Sequence, residues 1–359
     1  MSTLRPAALV AAALFVAGTL GPPGRTSAAS LHAPAVVPGA ASQVVRLVRR
    51  SHAIVRLPST TVPSLAAAPL DDAETYEPST VPDCSTATRC VFADRNATRT
   101  VVLLGDSHAR MWVPALVPAL TRLRFRLVLL WYPSCPVANV PTWYFKVNGP
   151  YRACDQFRID ALTFLRRRDP WLVLLGDSTT RKFSAANPSA PVTGTQWRIG
   201  MQHTIAVVKA ASRRVAVIGD LTAFGVSPPE CLAAHAAAIQ RCSVPSPNPM
   251  VPSYRPDEQR AAGAMHVAYL DPLRWLCAAT CSPIVGDMIV YSDTDHVAFT
   301  YAEFLSGVMG AALRPLLAAS RAPAHGTHTA HGAVTTGPRG TSHGRDRLAT
   351  TLLQLRPLA

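Results

Sequence analysis

Four short apolar runs, separated by stretches of helical periodicity, constrain the fold of this chain more than any other feature. The runs cover residues 100–105, 125–131, 171–176 and 214–219. Helical patterns lie at residues 108–123, 151–167, 197–211, 256–265 and 299–317. A shorter extended segment covers residues 267–270, and Pro114 and Pro118 predict that the first helix is shortened or kinked. Apolar strands that alternate with helices favour a parallel sheet covered on both faces. The sequence therefore predicts an α/β fold, a three-layer α/β/α sandwich with a mainly parallel sheet.

The first 29 residues have the three parts of a secretory signal peptide. Arg5 supplies a basic start, residues 7–20 are apolar, and Ser27-Ala28-Ala29 offers small residues for cleavage. We expect cleavage after Ala29, and the alternative is an uncleaved anchor. No later apolar run reaches the ~18–20 residues that a membrane helix needs, which excludes a polytopic membrane protein. The body of the chain is predicted to be extracytoplasmic, either secreted or associated with the cell envelope.

The chain has eight cysteines, an even number that predicts disulfide bonds in an exported protein. Their spacing groups them into near-neighbour pairs, each of which closes one loop: Cys84–Cys90, Cys135–Cys154, Cys231–Cys242 and Cys277–Cys281. No pair has the C-x2-C spacing of a zinc knuckle or ribbon, so a zinc site is the weaker interpretation and no metal is expected.

Changes in composition divide the chain into four segments. After the signal peptide, residues 30–80 are rich in Ala, Pro, Val and Ser without a sustained period, which predicts a linker. Its basic and apolar part at residues 44–57 is either a tether or a patch that lies on an anionic surface. Residues 81–319 carry the alternating pattern and form the predicted domain. Residues 320–359 are polar and of low complexity, which predicts a disordered tail containing His, Gly and Arg.

The net charge of +14 comes almost entirely from arginine, since only three of the 35 basic residues are lysine. A basic chain can bind nucleic acid, an anionic membrane or an anionic polymer. The sequence contains no helix-turn-helix, RNP or zinc-finger pattern, so we expect no nucleic-acid partner. Solubility and attraction to an anionic cell envelope are the interpretations that remain.

The segment that follows the first predicted strand, Gly105-Asp106-Ser107-His108, is the first candidate for a reactive site. In open α/β sheets, sites form at the carboxyl ends of strands. Gly105 permits a tight strand-to-helix turn and places Ser107 at a helix N-terminus, where its own N–H can donate to an oxyanion. Ser107 is therefore a candidate nucleophile, and the alternative is a serine that only caps the helix.

A base for Ser107 is predicted in the loop before the last helix. Asp293 and His296 lie three residues apart, so in a tight loop the carboxylate can accept the Nδ1–H and leave Nε2 free for Ser107. Asp295 is the alternative partner, but its position next to His296 is poor for this role. His108 is interpreted as a structural or substrate contact rather than as the base.

Several cysteine-containing and acidic motifs occur in a defined order along the chain. They are Cys84, CVFAD at 90–94, VVLLGDSHA at 101–109, SCP at 134–136, Cys154, CLA at 231–233, Cys242, WLC at 275–277, Cys281 and YSDTDH at 291–296. Together they resemble the SGNH (GDSL-like) hydrolase family, whose fold is flavodoxin-like, and above all the extracytoplasmic SGNH domain of acyltransferase-3 type membrane O-acyltransferases. The resemblance covers about residues 83–318. It implies Ser107 as nucleophile, His296 as base and Asp293 as the partner of the base.

Two departures from the family pattern bear on the expected activity. The membrane acyltransferase domain is missing and a signal peptide takes its place, so we expect the domain to act alone or with a separate membrane acyltransferase. The third family block offers an Asn amide to the oxyanion, whereas this chain has Ser178 at that position. The predicted oxyanion hole therefore consists of Ser107 and Ser178, and the glycine of the second block has no match.

The resemblance implies an exported enzyme of serine-dependent acyl transfer on cell-surface glycans. It acts as an O-acetyltransferase or O-acetylesterase through an acyl-serine, with an acyl donor and a polysaccharide or other glycan acceptor as partners and no cofactor. One alternative is a catalytically inactive SGNH module that binds glycan or docks to a membrane acyltransferase, and another is a basic envelope adaptor that works through its tails. Glycan stacking and core packing are both open for four aromatic residues, Trp112, Trp131, Trp143 and Tyr144.

Overall fold

The central element of the fold is a six-stranded sheet, seen in a computed structural model that describes residues 38–73 and 90–318. Its strands are β1 (Val91–Ala93), β2 (Thr100–Gly105), β3 (Arg126–Trp131), β4 (Leu172–Gly176), β5 (Val215–Ile218) and β6 (Ala268–Leu270). The spatial order is β1-β3-β2-β4-β5-β6. All neighbours pair in parallel except β1, which runs antiparallel to β3 at the edge. The carboxyl ends of the five parallel strands therefore meet at one edge of the sheet.

Nine α-helices accompany this sheet in the described residues. They are α1 (Ala41–Ser51), α2 (Ser107–Arg110), α3 (Val113–Arg122), α4 (Arg152–Arg168), α5 (Gly194–Ala210), α6 (Pro228–Ala234), α7 (Arg255–Ala264), α8 (Phe299–Phe304) and α9 (Ser306–Ala318). Shorter strand pairings join Thr142–Tyr144 to Gly149–Pro150 and Phe183–Ser184, Val244–Pro245 to Thr280–Cys281, and Ile284–Val285 to Met288–Ile289. None of the helices in the described ranges has the length and apolar character needed to cross a membrane.

Side chains of β2 alternate between two cores, as the two-residue period of a strand requires. Val101 and Leu103 pack with α1, α3, α8 and α9 on one face of the sheet. Val102 and Leu104 pack with α4, α5 and α7 on the other face. The predicted three-layer α/β/α sandwich is therefore confirmed, and the continuous apolar character of the strand follows from burial on both faces.

Two of the predicted helices are each divided in two. The pattern at residues 108–123 forms α2 and α3, and the chain leaves the helix at Met111 and Trp112. Pro114 has no N–H for the carbonyl of Arg110, so one continuous helix cannot form, and the proline lies instead at the start of α3. The last pattern, residues 299–317, is divided at Leu305 into α8 and α9.

The described residues before the domain differ from the predicted linker. Within residues 38–73, α1 buries Val44 and Val48 against the domain while its arginines face solvent. The Gly39 N–H donates to the Phe304 carbonyl at 2.9 Å, which attaches the segment to the end of α8. Apolar residues four positions apart make this one-sided packing possible, and the Ala- and Pro-rich composition around them concealed it. The signal peptide and the tail at 320–359 lie outside the described residues.

Three of the four predicted disulfide bonds are present, Cys135–Cys154, Cys231–Cys242 and Cys277–Cys281. Each closes a local loop, as their spacing indicates. Cys84 lies outside the described residues, so its pairing with Cys90 stays a prediction.

The end of α9 contacts the edge of the sheet where the parallel strands begin. The Trp171 indole N–H, one residue before β4, donates to the Leu317 carbonyl at 3.2 Å. The described chain therefore ends at the amino edge of the sheet, opposite the edge where the strands have their carboxyl ends.

Candidate active site

Ser107 lies where β2 ends, as the first residue of α2. The turn needs glycine at position 105, because a Cβ there would lie 1.8 Å from the Gly176 carbonyl oxygen of the neighbouring strand. Asp106 caps α2 by accepting a hydrogen bond from the His108 N–H at 2.9 Å. Since α2 has only four residues, the turn offers the backbone N–H of Ser107 to an anion rather than the dipole of a long helix.

Ser107, His296 and Asp293 form one continuous chain of hydrogen bonds. His296 Nε2 lies 2.9 Å from Ser107 Oγ, and His296 Nδ1 lies 2.8 Å from Asp293 Oδ2. The other oxygen of Asp293 accepts the backbone N–H groups of Asp295 and His296 at 2.9 and 2.7 Å. The structure thus brings together all three residues that the sequence predicted, in the order nucleophile, base and acid that acyl transfer requires.

The carboxylate of Asp293 is held in its charged form. Burial raises the pKa of Asp293, but the hydrogen bond and charge of His296 and the backbone N–H of Asp295 outweigh it, so the net shift is downward. A charged Asp293 accepts the Nδ1–H of His296, and Nε2 of the neutral ring then has its lone pair directed at Ser107.

Ser178 anchors the site through its backbone. Its N–H donates to both oxygens of the Asp106 carboxylate at 3.1 Å, which ties the end of β4 to the end of β2. Its hydroxyl lies 2.9 Å from Thr180 Oγ1 and therefore already has a polar partner. A role of Ser178 in an oxyanion hole stays a prediction.

A second histidine–aspartate pair lies directly beside the first. His108 Nδ1 is 2.6 Å from Asp220 Oδ1, and both side chains are buried. The backbone N–H and the hydroxyl of Thr179 donate to the other oxygen of Asp220 at 2.7 and 2.8 Å. The sequence identified His108 as a contact but missed Asp220. The sequence feature that could have identified Asp220 is its position just beyond β5, at the carboxyl end of a parallel strand.

The pKa shifts of His108 and Asp220 have opposite directions. Burial lowers the pKa of His108, but the charge and hydrogen bond of Asp220 raise it more, so the net pKa is well above its ordinary value. For Asp220, burial raises the pKa, and the charge of His108 lowers it more strongly, so the net shift is downward. Both shifts favour the charged forms of His108 and Asp220.

Asp295 lies between the two histidines. Its Oδ2 is 3.6 Å from His108 Nε2, and its Oδ1 is 3.4 Å from His296 Nδ1. The two imidazole rings meet edge to face with their centroids 4.8 Å apart. Because Asp293 lies closer to His296 Nδ1 than Asp295 does, the predicted preference for Asp293 as the hydrogen-bond partner agrees with the geometry.

Ligand atoms of His108, Asp295 and His296 lie within 4.8 Å of one another, a spacing that a metal ion can use. Asp220 already holds His108 Nδ1 at 2.6 Å, and both ring nitrogens of His296 have polar partners at 2.8 and 2.9 Å. This group therefore fits a hydrogen-bonded network of charges better than a metal centre.

A third buried carboxyl group, Asp177, supports the loop after β3. It accepts the backbone N–H groups of Val137 and Ala138 at 2.7 and 3.3 Å. Burial and the nearby charge of Asp106 raise the pKa of Asp177 to about 8. Asp177 thus binds a proton at pH values where most carboxyl groups are charged.

A cleft of about 510 Å³ opens at the same edge of the sheet. Its walls are Thr180 and the loops that follow β5 and precede α7, including Leu221–Ala223 and residues 246–253. The Phe224 N–H, just after the wall, donates to the Thr294 carbonyl at 2.8 Å, which joins the cleft to the loop of His296.

Among the candidate stacking residues, Trp112 and Trp131 are buried core residues, whereas Trp143 and Tyr144 stay partly exposed.

Comparison with known proteins supports the fold. The chain is similar to the periplasmic domain of a lipopolysaccharide acetyltransferase from Salmonella ser. Paratyphi A, with 14% identity, 77% of this chain and 99% of that chain covered, and a TM-score of 0.52. A putative acylhydrolase from Bacteroides fragilis matches less well, with 12% identity over 68% of this chain and 98% of that chain and a TM-score of 0.37. No curated protein sequence matches the chain.

A family model described as the SGNH domain fused to AT3 domains matches residues 74–310, which is more than half of the chain. The matched region contains the six-stranded sheet and every residue of the two histidine–aspartate pairs. The chain therefore belongs to the family of SGNH domains that are found fused to AT3 domains.

Proposed function

We propose that this chain is an exported serine enzyme that transfers an acyl group to or from the hydroxyl groups of a cell-surface glycan. The observation that carries the proposal is the unbroken hydrogen-bond chain from Ser107 Oγ through His296 to Asp293, at the carboxyl edge of an SGNH sheet. These groups and this order are those of a serine nucleophile with its base and acid.

In the proposed reaction, each of these residues has one role in acyl transfer. His296 Nε2 removes the proton from Ser107 Oγ while the oxygen attacks the carbonyl carbon of an acyl ester. The tetrahedral intermediate collapses, His296 gives the proton to the leaving oxygen, and an acyl ester on Ser107 remains. A second hydroxyl, from water or from a sugar, loses its proton to His296 and attacks the acyl-serine, which restores Ser107.

The oxyanion that forms in each half-reaction needs hydrogen-bond donors. The Ser107 N–H at the start of α2 is in position to donate, since it has no acceptor within the helix. The Ser178 hydroxyl is the second candidate, and it must turn from Thr180 to take part. Loss of one such donor costs about 3 kcal/mol in the transition state. Whether the Ser178 hydroxyl donates therefore has a large effect on the rate of acyl transfer.

A glycan is the acceptor class that the surroundings support best. The structural relative from Salmonella belongs to a lipopolysaccharide acetyltransferase, and its SGNH fold is shared by this chain. The cleft beside the site combines hydroxyl-bearing side chains such as Thr222 and Ser253 with apolar walls, and sugars present the same two kinds of surface. Transfer and hydrolysis differ only in whether a sugar or water enters this space.

Placement outside the cytoplasm is part of the proposal. The three disulfide bonds of the domain support it, because such bonds persist in oxidising compartments. The N-terminal segment has the pattern of a signal peptide. A separate membrane acyltransferase that delivers the acyl group is the proposed partner.

A non-catalytic glycan-binding or docking module is the second candidate. Ser178 in the position of the family Asn favours it, because the Ser178 hydroxyl is already bonded to Thr180. The hydrogen bond between Ser107 and His296 opposes it, since a binding module has no need of an activated hydroxyl.

The test is the release of p-nitrophenol from p-nitrophenyl acetate by the exported chain with its disulfides intact. Ser107→Ala is the decisive variant, and Ser189→Ala, at an exposed serine remote from the strand ends, is the matched control. We expect activity in the native and control proteins only, with one acetyl group on Ser107 detected by mass spectrometry. Equal rates in all three proteins would leave the binding module as the function. Acceptor sugars added to the active enzyme then separate transfer from hydrolysis.

A further inference from the structure

Two carboxylates, Asp293 and Asp295, approach the same nitrogen of His296. Their nearest oxygens lie 2.8 and 3.4 Å from His296 Nδ1. One carboxylate is enough to orient the ring and to stabilise the imidazolium that forms during catalysis. A second negative charge at this distance favours protonation of the ring before the reaction starts, and a protonated His296 cannot accept the proton of Ser107.

His108 supplies the charge that balances Asp295. The Nε2 of His108 lies 3.6 Å from Asp295 Oδ2, while Asp220 fixes the other ring nitrogen at 2.6 Å. The backbone and hydroxyl of Thr179 hold Asp220 in turn. The ring of His108 is buried and cannot turn away from Asp295 without breaking the bond to Asp220.

Several charged groups surround the two histidines. His108 faces Asp220 and Asp295 directly, and Asp106 acts on it through its charge. His296 faces Asp293, Asp295, the edge of the His108 ring and the hydroxyl of Ser107.

We propose that His108 is a positioning residue of this site: its ring, fixed by Asp220, faces Asp295 and offsets part of the negative charge that Asp295 directs at His296. The inference rests on the proposed function for its catalytic meaning. The upward pKa shift of His108 and the downward pKa shift of Asp295 agree with it, since both place the pair in its charged form.

The proposal predicts opposite effects for the two members of the pair. In His108→Asn, the amide still reaches toward Asp220, but Asp295 loses its counter-ion. His296 then binds a proton more readily, and the acid limb of the pH–rate profile moves upward by about one pH unit. In Asp295→Asn, a negative charge disappears beside His296, and the same limb moves downward. The double variant removes both charges and returns the limb to within a few tenths of a unit of the native position.

The experiment measures kcat/KM for p-nitrophenyl acetate against pH, with EDTA present so that no stray metal ion joins the two histidines. The matched control is His266→Asn, at an exposed histidine remote from the site whose positive φ of 52° suits asparagine. Circular dichroism checks that each variant is folded. If His108→Asn fails to fold, Asp295→Asn still tests the proposal. The Asp295 side chain is 28% exposed, so this substitution is expected to leave the fold intact.

A second readout does not depend on catalysis. NMR titration of the His296 ring, in protein labelled with ¹³C-histidine and carrying Ser107→Ala, reports the midpoint of its protonation directly. We expect the midpoint to move up in the His108→Asn background and down in the Asp295→Asn background. Movement of the midpoint, together with no esterase activity in the protein that keeps Ser107, would remove the proposed function and leave the charge pairing intact.

The proposal is overturned if both variants fold and the midpoint of His296 stays within 0.2 unit of the native value, or if both variants move it in the same direction. A purely structural role of His108 predicts the first result together with a lower thermal stability. Normal esterase activity with an unmoved midpoint would uphold the proposed function and reject the role of His108.

Discussion

His296 Nε2 lies 2.9 Å from Ser107 Oγ, and 189 residues separate the two in the chain. The contact depends on two turns that are each built locally. Asp106 caps the turn that presents Ser107, and Asp293 accepts two backbone N–H groups of the turn that presents His296. The sheet then places the two turns side by side.

Substitution of Asp293 tests the second of these turns. In Asp293→Asn, the amide can stabilise the wrong tautomer of His296, with the proton on Nε2, and we expect kcat to fall by roughly 10³–10⁴-fold. Hydrolysis of p-nitrophenyl acetate measures the loss. Asp287→Asn, at an exposed aspartate outside the turn, is the control and should keep the native rate. A loss of less than tenfold in Asp293→Asn would show that Asp295 can replace it.

Filling the cleft tests the acceptor site. Ala223 lines the cleft, and Ala223→Trp would occupy much of its volume of about 510 Å³. We expect the KM for an acceptor sugar to rise at least tenfold, because the indole takes the space of the sugar, while the rate with p-nitrophenyl acetate and water stays within twofold. Steady-state kinetics with both acceptors provides the comparison. An equal fall in both rates would mean that the cleft belongs to the acyl donor.

The two strand-end glycines provide a matched pair for stability. In Gly105→Ala, the new methyl group would lie 1.8 Å from the Gly176 carbonyl oxygen, which is backbone and cannot move aside. We expect a loss of about 3 kcal/mol in the free energy of unfolding. In Gly176→Ala, the nearest atom is 3.3 Å away, and a loss below about 1 kcal/mol is expected. Urea unfolding with intact disulfides measures both values, and similar losses would contradict the close approach of the two strand ends.

The buried carboxyl of Asp177 predicts how stability changes with pH. Its pKa is raised to about 8 in the folded protein, above the ordinary value of 3.8 in the unfolded chain. Its contribution to stability is therefore fully present below the unfolded value and is lost as the pH rises through about 8.

Asp177→Asn carries no charge at any pH, so the decline in its unfolding free energy between about pH 5 and about pH 9 should be smaller than in the native protein. The variant also loses one acceptor for the Val137 or Ala138 N–H, but this cost is the same at every pH. Urea midpoints at the two pH values give the slope, with Asp287→Asn as the control. Parallel slopes in native and variant proteins would show that Asp177 is already charged when folded.

Local patterns explain why much of the fold and of the site could be predicted from the sequence. The strand at 100–105 has the predicted limits, because a strand buried on both faces is apolar at every position and ends at a glycine. Ser107 could be predicted because it lies in the short motif Gly105-Asp106-Ser107-His108. Asp293 and His296 could be predicted because they lie three residues apart in one turn. These signals do not depend on distant parts of the chain.

Asp220 and α1 could not be predicted in the same way. Asp220 contacts His108, which follows a different strand, and nothing in the sequence near Asp220 identifies His108 as its partner. The helix α1 buries two valines on a surface made by α9, the strand Ile284–Val285 and the segment Pro272–Trp275, so its stability depends on partners far along the chain. Both features arise from tertiary contacts.

The hydrogen bond from Trp171 to Leu317 has a consequence for how the domain is oriented when it is attached through α9. It places the end of α9 at the amino edge of the sheet, while Ser107 lies at the carboxyl edge, about 15–20 Å away along a five-residue strand. Whatever is joined to the chain after α9, whether an envelope attachment or an affinity tag, departs from the side that faces away from Ser107. A molecule attached directly after α9 would therefore lie on the opposite side of the domain from Ser107.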